Sequence, residues 1–129
     1  MQNLEQIRAA AALKTAPNTT KAAVNKLPAM ILSNGLLAAC AFANEPKDKP
    51  DAPKRPEMKA ALDGAAQHLG RPEIGIAQLT NCRHVSDLIA KLSTANSVTC
   101  QRATSEALAF LGYVKRFATK EGSDNSADQ

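Results

Sequence analysis

Residues 28–43, PAMILSNGLLAACAFA, contain no charged side chain. Ile31, Leu32, Leu36, Leu37, Cys40, Ala41 and Phe42 would wrap most of the way round a helix, so the segment reads as a buried central helix. It is too short to cross a membrane, which takes about 18 apolar residues or more. The rest of the chain therefore has to form a shell around it. Pro28 suits the first turn of a helix, where its missing N–H costs nothing, so the central helix is expected to start there. Asn34-Gly35 is a turn signal inside it, read as a close backbone approach or a local kink.

The shell is helical too. Alanine abounds and is the best helix former, while aromatic residues are 3% of the chain and there is no Trp. β-Branched and aromatic residues are too sparse and scattered for a strand-rich fold. Apolar spacing predicts helices from Leu4 to about Thr15, Thr20 to about Lys26, Glu57 to about Leu69 and His84 to about Thr94. A last helix follows, capped by Asn96 or Ser97 and running to about Lys120. Residues 70–83 read as a loop with one helical turn. The expected architecture is all-α, a single-domain bundle of five or six helices over residues 1–120. Residues 44–56 hold four prolines among alternating charges and are expected to form a mobile surface loop. Residues 121–129 read as a disordered acidic tail.

Catalytic chemistry is thinly represented. His68 lies near a predicted helix end and reads as a solvated histidine. Cys82 and His84 offer two metal ligands where zinc needs three or four. The glycines form neither a phosphate loop nor a dinucleotide fingerprint, and no carboxylate pair stands in an apolar context. No enzyme activity, cofactor or metal is expected. The three cysteines, with no C-x-x-C and no visible signal segment, fit a reducing cytoplasm, and Cys40 reads as a small buried hydrophobe.

Charge points toward a polyanion. The chain carries 16 basic and 12 acidic residues, a net +4, and three of the acids, Glu121, Asp124 and Asp128, fall in the terminal segment. The body is thus more basic than the whole, which favours polyanionic partners. On the last helix, Ser105, Ala109, Gly112 and Arg116 recur at three- and four-residue steps, with Lys120 beyond and Arg102 and Lys115 alongside. Small residues leading to cations suit close approach of a phosphate backbone or of a partner helix.

Two segments then carry a resemblance. LPAMILSNGLLAACAFA (27–43), preceded by Lys26, and ATSEALAFLGYVKRFA (103–118) are similar to the two best-marked motifs of the small subunit of the Cmr complex, the type III-B CRISPR effector that targets RNA. LEQIRAAAAL, with Arg8, is a weaker third match. Asn25 departs from a second basic residue common in that family, Gly112-Tyr113 replaces a bulkier pair, and residues 44–83 match poorly. The resemblance implies a non-catalytic structural subunit in antiviral defence. Copies of it would stack into a minor filament whose basic face follows the guide RNA–target RNA duplex, beside other Cmr subunits and away from any membrane. Arg8, Lys26, Arg102, Lys115 and Arg116 would then be the nucleic-acid contacts, indifferent to base sequence. The NGLL segment would be fold core, with Gly35 where packing most needs a small residue. The other reading is a helical protein–protein adaptor that never touches nucleic acid. A helix-turn-helix DNA binder fits poorly, because no short turn leads to a polar recognition helix.

Overall fold

The computed structural model describes residues 2–47 and 52–121, so the 44–56 loop falls partly, and the acidic tail almost wholly, outside the described residues. Among the described residues, six α-helices make up the fold: α1 (Leu4–Thr15), α2 (Lys21–Asn34), α3 (Leu36–Ala43), α4 (Pro56–Leu69), α5 (Val85–Leu92) and α6 (Ser97–Phe117). Short 3₁₀ turns at Ala16–Asn18, Pro72–Ile74 and Ala77–Leu79 fill connections, two of them where one turn was expected. Side-chain caps set several starts. Asn3 accepts from the Gln6 N–H at 2.8 Å, Thr20 from Ala23 at 3.2 Å and Asn96 from Thr99 at 2.8 Å, each satisfying an orphan first-turn donor.

The apolar run resolves differently from its expected form. Helix α2 continues through Pro28, and the break comes at Gly35, whose φ of 95° and ψ of 157° belong to glycine. No heavy atom lies within 4 Å of where a Gly35 Cβ would sit, so the residue serves conformation and not close packing. Val24, Leu27 and Ile31 form one buried stripe spanning the proline, and that burial outweighs the single hydrogen bond Pro28 removes. Breaking the run also means each half needs only one covered face. Leu32 is accordingly 72% exposed and Leu37 38% exposed, so the segment is not the fully buried centre.

The centre is α4 and α6 instead. On α4, Ala61, Leu62, Ala65, Ala66 and Leu69 are completely buried, and on α6 so are Ala107, Phe110, Leu111 and Val114. Gly64 lets α1 come close: a Cβ there would lie 2.5 Å from Thr15 Cγ2. Helix α1 runs alongside α6 in the same direction, with Leu4 level with Arg102 and Arg8 with Glu106. Helix α2 runs the other way, from Lys21 beside Lys120 to Gly35 beside Thr104. Helix α3 packs on α5 and α4.

Two connections are held by backbone hydrogen bonds across the chain. Lys21 N–H donates to the Lys120 carbonyl at 2.8 Å and Ala22 N–H to the Glu121 carbonyl at 3.1 Å, so the segment leaving α6 completes the N-terminus of α2. Helix α6 therefore stops at Phe117, short of the expected Lys120, because Ala118 turns extended to make that connection. At the Pro-rich loop, Lys47 N–H donates to Ala52 and Lys54 N–H to Glu45, and Arg55 anchors the exit. Its guanidinium lies 3.5 Å from the Phe42 ring centroid and donates to the Phe42 carbonyl and Glu45 carboxylate, each at 3.0 Å.

Candidate nucleic-acid interface

The five sequence-derived cations fall into two groups. Lys26, Lys115 and Arg116 share one end of the bundle. The antiparallel pairing of α2 with α6 sets Lys26 about 7.5 Å along its helix from Lys21, on the half of the bundle where α6 ends. All three are exposed, and none pairs with a carboxylate among the described residues. Lys120 and the half-buried Lys21 belong to the same end, brought there by their backbone hydrogen bond. Charge counting could flag Lys21, but only the fold reveals its neighbourhood.

Arg8 and Arg102 lie together at the other end, some thirteen residues or about 20 Å back along α6. They line one hollow of about 360 Å³ with Leu4, Ile74, Ile76 and Gln101. Arg102 donates to the Gly75 carbonyl at 3.3 Å and stays exposed. Arg8 is held differently. Its Nε and Nη2 donate to the two oxygens of Glu106 at 2.7 and 2.8 Å, a bidentate pair joining α1 to α6.

That pair belongs to a buried cluster with no counterpart among the expectations. His68 is 1% exposed, not solvated. Its Nε2 lies 2.8 Å from Glu106 Oε2, and its ring stacks on Phe110 with centroids 5.0 Å apart. Burial disfavours the charged Glu106, yet the hydrogen bonds from Arg8 and His68 outweigh it and hold the carboxyl below its usual range. Burial dominates at His68 and lowers its pKa against the pull of Glu106. The neutral ring thus keeps its proton on Nε2, donating to Glu106, and leaves Nδ1 as an acceptor without a partner among the described residues. Periodicity carried half of this signal: position 68 lies on the α4 core stripe with Ala61 and Ala65, and 106 lies between Ala103 and Phe110 on α6.

Of the small-residue stripe of α6, Ser105 borders a second surface, while Ala109 and Gly112 do not line it. Gly35, Leu36, Leu37, Leu92, Cys100, Gln101, Thr104 and Ser105 line a largely apolar groove of about 610 Å³. Cys40 is a buried hydrophobe as its setting suggested, its thiol pushed up to about 12 by burial. Among the described residues, no three His, Cys, Asp or Glu side chains stand together as metal ligands, and no helix is long and apolar enough to cross a membrane.

A family model described as CRISPR-associated protein (Cas_Cmr5) matches residues 2–121, all but the two ends of the chain. No curated protein and no solved structure matches it.

Proposed function

Since the chain belongs to the CRISPR-associated Cmr5 family, and is thereby a Cmr-associated protein, we propose that it is a non-catalytic structural subunit of a type III-B ribonucleoprotein effector. It stacks with copies of itself beside the guide RNA–target RNA duplex and turns a basic face to the phosphates. The observation that carries this reading is the grouping of Lys26, Lys115 and Arg116, exposed and without carboxylate partners among the described residues. Such cations act by releasing counterions, which gives affinity without base preference. Arg102 extends the face, and Arg8 contributes through its remaining Nη1 while held by Glu106.

The test is the salt dependence of RNA binding by the assembled ribonucleoprotein containing this protein at full length. Lys115→Ala with Arg116→Ala should flatten the plot of log affinity against log salt by about 1.5–2 per protein copy contacting RNA. Loss should be uniform across RNA sequences. An unchanged slope would remove these two residues from the interface.

The apolar groove favours the second reading, a helical adaptor working through protein contacts alone. Under that reading Leu37→Glu abolishes association with Cmr partners, while the charge substitutions leave both assembly and salt dependence unaltered.

A further inference from the structure

We propose that the cleft between α1 and α4 is a binding site for a phosphate monoester, such as a mononucleotide or a terminal phosphate. The cleft holds about 400 Å³ and is separate from the hollow shared by Arg8 and Arg102. Lys14, in the last turn of α1, and Arg71, just past α4, supply its cations. Lys14 meets no carboxylate among the described residues, and Arg71 touches only exposed Glu73, at 3.3 Å. The side-chain amides of Asn18 and Gln67 and the Thr15 hydroxyl add neutral donors. Thr15 reaches its place because Gly64 has no Cβ to occupy it.

One acid, Asp63, also lines the cleft, and both of its oxygens are engaged elsewhere. Oδ1 accepts the Val85 N–H at 2.7 Å, and Oδ2 faces Lys59 Nζ at 3.6 Å. The remaining balance of the lining is positive.

Charge decides between ester types. A phosphate monoester has a second pKa near 6, so its dianion places about twice a diester's charge between Lys14 and Arg71. A phosphodiester lacks that second charge. His68 contributes to the cleft wall, with Nε2 committed to Glu106 and Nδ1 shielded from solvent and without a hydrogen-bond partner among the described residues.

Amide chemical shifts of the full-length protein provide the test, with ionic strength held constant by sodium chloride. Uridine 5′-monophosphate should produce saturable shifts at Thr15, Asn18 and Gln67. Uridylyl-uridine, a diester with no terminal phosphate, should bind at least tenfold more weakly. Lys14→Ala with Arg71→Ala should weaken the monophosphate at least tenfold, while Lys115→Ala with Arg116→Ala leaves it unchanged. Equal affinity for the diester, shifts that fail to saturate, or a Lys14/Arg71 variant that binds normally would overturn the proposal. Both altered side chains are at least partly exposed, so folding is not at stake. This site stands apart from the RNA reading, since the salt slope of RNA binding can vanish while monophosphate binding persists, or the reverse.

Discussion

Replacing Glu106 by alanine should destabilise the fold by about 2–4 kcal/mol, lowering the melting temperature by ~10 °C or more. The cause is what the substitution leaves behind. Arg8 loses both of its hydrogen bonds at a side chain only 25% exposed, and His68 loses its one partner while remaining buried. Removing one member of a buried charge cluster costs far more than the cluster contributes against an apolar replacement. Glu106→Gln should cost less, since the amide oxygen at the Oε2 position can still accept from Arg8 Nε and His68 Nε2, although its NH₂ then faces the Arg8 Nη2 donor. Urea denaturation of both variants checks this, and a loss under about 1 kcal/mol for the alanine would mean that water already replaces the cluster's bonds. The same cluster sets a pH dependence. His68 has a lowered pKa in the fold, so below its unfolded value near 6.5 the unfolded chain binds the extra proton and stability falls with pH. Glu106 adds a second loss as pH drops below its unfolded value near 4.5, continuing through its depressed folded pKa. His68→Gln should flatten the first of these two legs and leave the second.

Gly35→Ala should cost about 1–3 kcal/mol even though the added methyl meets nothing within 4 Å. At φ 95° and ψ 157° an L side chain strains against its own backbone. The alanine variant escapes by extending α2 into α3, which would swing the buried Leu36, Ala39 and Cys40 out of register. Equilibrium unfolding measures the cost. A neutral result would show that the α2–α3 corner tolerates a continuous helix, as the apolar pattern alone suggested.

That corner shows where the sequence is readable and where it stops being so. Helix α1 has the predicted span, Leu4–Thr15, because nothing competes with its alanine propensity and Pro17 follows two residues on. Helix α6 is legible from its start signal and its apolar stripe. Pro28 misleads because propensity is local, whereas the stripe of Val24, Leu27 and Ile31 that overrides it is a tertiary fact. At Gly35 the turn signal is visible, but a backbone angle cannot be told from a tight contact without coordinates. The candidate interface divides in the same way. Cations can be counted on a sequence, but their partners cannot. Arg8 reads as a free guanidinium until Glu106, 98 residues away, is seen to hold it. His68 reads as surface until the stripe it shares with Ala61 and Ala65 is known to face Phe110.

The carbonyls of Lys120 and Glu121, which complete the first turn of α2, give two amides an uncommon place in hydrogen exchange. First-turn N–H groups ordinarily exchange with solvent at rates set by fraying, because no earlier carbonyl in their helix holds them. Lys21 and Ala22 instead open only when the segment after α6 detaches. Their protection therefore reports the docking of one end of the chain against the other, in a measurement made on the native protein without denaturant. Partner binding at the end of the bundle shared by Lys26, Lys115 and Arg116 should slow exchange at these two sites before it is felt in the core.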